Sequence, residues 1–169
     1  MQAVTSHEIL ARLTGFDTVP TASNVACAEY LADLLDDAGW RVELHRHEGL
    51  GAAKANLVAW AGPDTPGGLM VSGHMDVVPF ADQPGWTSDP LRLTRVGDRM
   101  VGRGVADMKG FLALAAAEAR RLEHRRLLRP LVLLLTCDEE EGCLGVERLL
   151  PELPRLTTIG PLPEECLIG

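Results

Sequence analysis

The hydrophobic and polar positions of the chain follow two periods in turn, one typical of helices and the other typical of strands. Apolar side chains recur at three- and four-residue spacing in segments 8–13, 23–39, 108–124 and 145–150, which predicts four helices. Alternating or continuous apolar runs predict strands over 41–45, 56–61, 69–72, 131–135 and 166–168, and a hairpin over 91–101. Strands that alternate with helices predict an α/β fold, with a mostly parallel or mixed sheet flanked by helices.

The last predicted strand lies at the very end of the chain. Segment 131–135 is aliphatic throughout, which is typical of a strand buried on both faces, and we expect 166–168 to begin another such strand. A domain rarely ends inside a buried strand, so we expect the 169 residues to be a truncated domain.

Composition and charge narrow the class of protein. The 16 basic and 24 acidic residues give a net charge of −8, which argues against binding to nucleic acid. The longest apolar run, 111–117, ends at Glu118 and is far shorter than the ~18 residues of a membrane span. Because we also find no secretory signal at the N-terminus, we expect a cytoplasmic protein without a membrane partner.

The four cysteines lie far apart, at positions 27, 137, 143 and 166. A thiolate zinc site needs closely spaced pairs, and disulfide scaffolds are denser in cysteine. We therefore expect all four to be small, buried, apolar side chains.

Three clusters of polar residues follow predicted strands or precede a predicted helix. His74 and Asp76 end an apolar strand and share a face, so Asp76 is placed to fix the imidazole of a metal ligand. A hydrogen-bonded histidine at a strand end is the simpler alternative. Asp107 precedes a helix, where it is either an N-cap or a metal ligand, and spacing alone does not decide.

The third cluster is the acidic run 138–141, directly after the most apolar strand. Four consecutive carboxylates repel one another unless a cation or solvent separates them. A solvated loop is one interpretation, but the carboxyl end of a buried strand is where α/β proteins build sites, which favours metal. One histidine with several carboxylates suits zinc, with cobalt or manganese as alternatives.

The motifs around these residues resemble those of the zinc-dependent aminoacylase and carboxypeptidase superfamily, in particular its acetylornithine deacetylase and succinyl-diaminopimelate desuccinylase family. The similar segments are Ser-Gly-His-Met-Asp-Val-Val-Pro (72–79), Gly-Arg-Gly-Val-Ala-Asp-Met-Lys-Gly (102–110) and Asp-Glu-Glu-Glu-Gly (138–142). They occur in the family's order, and further similarities to acetylornithine deacetylases extend the resemblance over essentially the whole chain.

The resemblance implies a zinc-exopeptidase-like catalytic domain with a role for each residue of the clusters. His74 would bind the first metal, with Asp76 orienting its ring, and Asp107 would bridge two metals through a carboxylate followed by a cis peptide bond. Glu139 would be the general base, and Glu140 would bind the second metal.

The resemblance also implies an activity for a longer enzyme. That enzyme would be a cytoplasmic homodimer with two zinc ions, or cobalt, which hydrolyses a small N-acyl amino acid, N-acetyl-ornithine, to ornithine and acetate in arginine biosynthesis. Residues 1–169 would be the N-terminal part of its catalytic domain. The lid or dimerisation domain, an acidic ligand and a histidine ligand would lie outside them, so we expect the chain alone to be inactive.

Several alternatives stay open. A desuccinylase, a dipeptidase or an aminoacylase of the same family would share the zinc chemistry. A non-catalytic metal-binding module, or an acidic domain that binds no metal, would use the same residues differently.

Overall fold

The computed structural model describes residues 4–169, which form a sheet with helices on both faces. The strands are β1 (Arg41–Glu48), β2 (Ala53–Ala61), β3 (Leu69–His74), β4 (Thr94–Val96), β5 (Arg99–Val101), β6 (Leu131–Thr136) and β7 (Glu165–Ile168). The α-helices are α1 (Ser6–Thr14), α2 (Val25–Asp36), α3 (Lys109–Ala119), α4 (Leu144–Leu149) and α5 (Leu153–Ile159). Single 3-10 turns lie at His124–Arg126 and Leu150–Glu152.

Five of the strands make one mixed sheet in the order β1-β2-β6-β3-β7. β2 pairs antiparallel with both of its neighbours, whereas β3 pairs parallel with β6 and with β7. The predicted α/β class with a mixed sheet is therefore confirmed. The parallel pairing of β3 with β6 brings the carboxyl ends of these two strands to the same edge of the sheet.

Strand β2 contributes to two separate hydrophobic cores. Its residues Ala55, Leu57 and Ala59 belong to the larger cluster, which also contains the buried faces of α1, α2 and α3. Val58 and Trp60 point to the other face and pack in a smaller cluster that includes residues of α4 and α5. Both faces of the strand are covered, which explains why its sequence is apolar at nearly every position.

Helix α3 is shorter than predicted. The alanine- and leucine-rich pattern predicts a helix over 108–124, but α3 ends at Ala119 and the chain turns before His124. The indole N–H of Trp40 donates to the carbonyl oxygen of Ala119 at 3.1 Å. The same oxygen also accepts the backbone N–H of Leu122 at 3.4 Å, so the last carbonyl of the helix has one local and one tertiary partner.

The C-terminal elements depart further from the prediction. β7 lies at the edge of the sheet with all four residues exposed, so among residues 4–169 the expected strand is present but is not buried. The apolar pattern does not predict helix α5. Pro154 lies in the first turn of α5, where a missing backbone N–H costs no helical hydrogen bond.

The predicted hairpin is present but begins later than expected, because β4 starts at Thr94 rather than near Leu91. The backbone N–H of Leu91 instead donates to the Asp89 carboxylate at 2.9 Å in a preceding turn. Among residues 4–169 there is no helix with both the length and the hydropathy needed to span a bilayer.

The burial of the cysteines matches the prediction for only half of them. Cys27 and Cys137 are buried, but Cys143 and Cys166 are exposed, in the loop before α4 and on the edge strand β7. All four are free thiols.

Candidate metal centre

Three chain segments meet at the carboxyl edge of the sheet. His74 is the last residue of β3, and it pairs in register with Thr136 at the end of the parallel strand β6. The loop that follows β6 carries Glu139 and Glu140, and Asp107 lies just before α3. Because parallel neighbours end together, side chains that are distant in the sequence arrive at one place.

The side-chain oxygen atoms of this edge surround one imidazole nitrogen. Nε2 of His74 is 3.1 Å from Oδ1 of Asp107 and 3.7 Å from Oε2 of Glu139. Potential ligand atoms of His74, Glu139 and Glu140 all lie within 4.8 Å of one another. The arrangement is compact enough for one divalent cation to contact several of them.

The other ring nitrogen of His74 faces Asp76, which is completely buried. Nδ1 is 3.1 Å from the backbone oxygen of Asp76 and 3.5 Å from its carboxylate Oδ1. The second carboxylate oxygen, Oδ2, accepts a hydrogen bond from the backbone N–H of Glu140 at 3.0 Å. Asp76 therefore contacts both the imidazole ring and the acidic loop.

The charges of the site change the protonation of its groups. Burial by itself lowers the pKa of His74, while its hydrogen bond to Asp76 raises it. The charges of Asp76 and of the nearby carboxylates raise this pKa further, to about 9. Burial raises the pKa of Glu140, and the charge of Asp107 raises it again.

The chemistry and spacing of the side chains decide whether the residues fit a metal ion. An imidazole with carboxylates is a donor set that zinc accepts. The potential ligand atoms of His74, Glu139 and Glu140 lie close enough together, within 4.8 Å, to share one ion. The residues present fit a metal ion.

The structure gathers all five predicted site residues: His74, Asp76, Asp107, Glu139 and Glu140. The peptide bond between Asp107 and Met108 is cis, as the resemblance implied. Their separate roles as ligands, orienting group and base stay predictions.

The segment Lys54-Ala55-Asn56-Leu57 is among those that resemble acetylornithine deacetylases, but the sequence assigned no role to its two polar residues, which contact the acidic loop. Lys54 reaches Asp138 with its ammonium group, and Asn56 bonds to the backbone at both ends of the loop. The available signal was a lysine and an asparagine within an otherwise apolar strand, residues that a buried strand tolerates only when they have partners.

Comparison with known proteins gives one matching family model, described as peptidase family M20/M25/M40, over residues 70–164. An acetylornithine deacetylase of Vibrio parahaemolyticus is 37% identical over 147 residues, which are 86% of this chain and 36% of that protein. An acetylornithine deacetylase of Vibrio atlanticus is 34% identical and covers 100% of this chain and 43% of that protein. The chain thus spans less than half the length of these curated relatives.

Solved structures with a similar fold include human carnosine dipeptidase 1, at a TM-score of 0.73 and 25% identity, covering 97% of this chain and 38% of that chain. An M20 family metallo-carboxypeptidase from Sulfolobus solfataricus gives a TM-score of 0.78 at 19% identity. It covers 96% of this chain and 36% of that chain, and at this identity the likeness concerns the fold alone.

Proposed function

The chain belongs to peptidase family M20/M25/M40, and from this premise we propose that its protein is a zinc-dependent amide hydrolase that deacetylates N-acetyl-ornithine. The observation that carries the proposal is the convergence of Asp107 and Glu139 on Nε2 of His74 at the carboxyl edge of the sheet. It supports metal-assisted hydrolysis because that chemistry needs a cation site and an adjacent carboxylate.

The metal ligands of this chain would be His74, Asp107 and Glu140. Asp107, whose carboxylate is 3.1 Å from the imidazole of His74, would be shared between two ions, with His74 on the first and Glu140 on the second. Zinc, when bound, supplies Lewis acidity that polarises an acyl carbonyl and lowers the pKa of water. Cobalt would serve the same donors.

Glu139 would move the proton. Its side chain is 44% exposed, so water and substrate can reach the carboxylate, while the backbone of its loop is held from the buried side. In the proposed reaction it accepts a proton from the attacking water and returns it to the nitrogen of the leaving amine. Water adds across the amide bond, and the products are acetate and ornithine.

Asp76 would hold the ring of His74. Burial raises the pKa of Asp76, but its hydrogen bonds to His74 and to the backbone of Glu140 outweigh burial and lower it, so the carboxylate stays ionised. An ionised carboxylate beside Nδ1 fixes the ring orientation and leaves Nε2 to face the metal position.

The choice of substrate rests on the curated relatives. The two Vibrio proteins named acetylornithine deacetylase are 34–37% identical to this chain, which supports that substrate. A place in arginine biosynthesis is proposed along with the substrate. A dipeptidase is the second candidate, supported by the fold and the 25% identity shared with human carnosine dipeptidase 1. A cytoplasmic location and a homodimer belong to the same proposal.

The chain covers 36–43% of these relatives, so the activity is proposed for the whole protein. That each metal takes one more ligand, an acidic residue and a histidine, from outside residues 1–169 stays a prediction. That these residues alone do not turn over substrate also stays a prediction.

The role of Glu139 is tested by Glu139→Gln in the complete protein. We expect kcat for N-acetyl-ornithine to fall by about 100- to 10,000-fold, the usual contribution of a general base, while zinc stoichiometry stays unchanged. Glu141→Gln is the matched control, since Glu141 is an exposed neighbour in the same acidic run. Near-normal turnover in Glu139→Gln would remove Glu139 from this role.

The substrate is tested by comparing acetyl-ornithine, succinyl-diaminopimelate and a dipeptide at equal concentration of the zinc-loaded protein. The proposal expects the highest kcat/KM for acetyl-ornithine. Preference for the dipeptide would favour the second candidate, and bound zinc without turnover of any of the three would favour a binding module.

A further inference from the structure

An ion pair is buried directly behind the loop that carries Glu139 and Glu140. Lys54, on β2, places Nζ 2.8 Å from Oδ1 of Asp138, and the two side chains are 0% and 2% exposed. At this distance the attraction of opposite charges holds the pair together. Such a pair is costly to bury, and it gives little net stability compared with apolar residues of similar size. This raises the question of what else the pair does.

The loop between β1 and β2 closes over the pair. A Cβ atom added to Gly49 would collide with Cγ of Lys54, so the glycine allows the backbone to lie directly on the lysine stem. The same Cβ would be 3.3 Å from Oδ2 of Asp138. The backbone of this loop therefore lies against the ion pair and helps to shield it from water.

The backbone of the acidic loop is bonded to β2 at both ends. The side-chain oxygen of Asn56 accepts the N–H of Cys137 at 3.0 Å, and its amide group donates to the carbonyl of Gly145 at 2.8 Å. Lys54 and Asn56 are two residues apart on one strand, so both project from the same face of the sheet. Asn56 contacts the start of the loop at Cys137 and its end at Gly145, and Lys54 contacts Asp138, the residue that begins its turn.

Asp138 is the point where the loop turns towards the site. Its φ is 51°, in the left-handed region that few residues except glycine, asparagine and aspartate adopt. Its carbonyl accepts the N–H of Leu144 at 3.0 Å, and the carbonyl of Glu139 accepts the N–H of Cys143 at 3.0 Å. The direction in which Glu139 and Glu140 leave the sheet thus depends on the conformation of Asp138, which Lys54 contacts.

We propose that Lys54 is a positioning residue, which acts through Asp138 to orient Glu139 and Glu140 towards His74. The proposal rests on the proposed function, because it takes Glu139 as the base and Glu140 as a metal ligand. Lys54 does so in two ways: its charge offsets one of four consecutive carboxylates, and its attraction keeps Asp138 in the left-handed turn. Asp76 holds the same loop from the opposite side, through the N–H of Glu140.

A purely structural role is separated from positioning by a double substitution. Lys54→Met leaves the Asp138 carboxylate buried without a partner and is expected to lower stability. Lys54→Met with Asp138→Asn removes both charges, and asparagine tolerates the left-handed conformation, so the double variant should regain stability. If the ion pair only stabilises the fold, metal binding should recover together with stability.

The measurement is zinc affinity by competition with a chromophoric chelator, on the complete protein, together with the visible spectrum of the cobalt-substituted site. We expect the double variant to bind zinc about 10- to 100-fold more weakly than wild type, the range found for residues behind metal ligands, and to show a changed cobalt spectrum. With zinc saturating, kcat should fall while KM for N-acetyl-ornithine stays close to wild type.

Arg46→Met is the matched control. Arg46, which like Lys54 projects from a strand of the sheet, is the cation of an exposed ion pair with Glu29 of α2, and the substitution removes that charge. Its zinc affinity should equal that of wild type. A folded double variant with wild-type zinc affinity and cobalt spectrum would overturn the positioning role of Lys54 while leaving the proposed function intact. Wild-type protein that binds no zinc would instead overturn the proposed function, and the positioning role with it.

Discussion

Asn24 supplies Ala55 with hydrogen bonds that a strand would otherwise provide. β2 pairs with β6 only from Leu57 to Ala61, so Ala55 extends beyond its neighbour. The Asn24 side chain donates through Nδ2 to the carbonyl of Ala55 at 2.8 Å, and Oδ1 accepts the N–H of the same residue at 2.8 Å. Asn24 and Ala55 are both completely buried, so water does not reach these groups.

Asn24→Ala leaves both backbone groups of Ala55 without a partner. Each buried, unsatisfied group costs about 1–3 kcal/mol, so we expect the free energy of unfolding to fall by about 2–6 kcal/mol. For a chain of this size each kcal/mol lowers Tm by about 2–4 °C. The loss is a substantial fraction of the total stability of about 5–15 kcal/mol that is usual for a domain.

The assay is urea unfolding followed by circular dichroism, with Ser23→Ala as the control. Ser23 donates to the carbonyl of Ala53 at 2.7 Å, but this bond is exposed and water can replace it, so we expect a loss of about 1 kcal/mol or less. If Asn24→Ala costs no more than Ser23→Ala, the side chain of Asn24 does not act as a strand substitute.

Two further predictions concern other parts of the fold. Burial raises the pKa of Cys27 to about 11 and that of Cys137 to about 12, whereas Cys143 and Cys166 are exposed. Near neutral pH, Ellman's reagent should therefore react quickly with Cys143 and Cys166. It should react with Cys27 and Cys137 only after unfolding. Rapid reaction of all four would contradict the burial described above. Gly145→Ala places a Cβ against the backbone oxygen of Cys137, which cannot rotate away. We expect the substitution to lower the free energy of unfolding in urea by about 1–3 kcal/mol. An unchanged unfolding midpoint would refute this contact.

Much of the site was predictable from short segments of sequence. His74 and Asp76 follow one apolar strand and Glu139 and Glu140 follow another, and each cluster stands beside residues typical of the family. The carboxyl ends of parallel neighbours meet at one edge, so two predicted strands with polar ends already indicate that their side chains converge.

The partners of those residues were not predictable in the same way. Lys54 lies two residues before the predicted strand 56–61, and Asp138 is one more member of an acidic run. Nothing within a few residues of either position indicates the other, because their contact depends on how the loop after β6 lies across β2.

The ends of the elements were decided in the same way by contacts that are distant in the sequence. Local periodicity predicted α3 well at its start but not its end at Ala119, whose carbonyl accepts a hydrogen bond from the distant Trp40. The apolar run at 166–168 correctly predicted a strand. Whether that strand is buried depends on what packs against the edge of the sheet that β7 forms beside β3. The run itself carries no information about that packing.

The sequence by itself therefore determined the α/β class and the order of most elements, and it proposed the residues that gather at the candidate metal centre. The class and the order follow from periodicity, a local property of the chain, whereas the proposed site residues follow from side-chain chemistry together with the family resemblance of their motifs. Only the tertiary structure decided that Lys54 lies behind Asp138, that Asn24 completes β2 and that two of the four thiols are exposed. Each of these depends on bringing together distant segments, and a buried polar group gives no local signal of the partner that satisfies it.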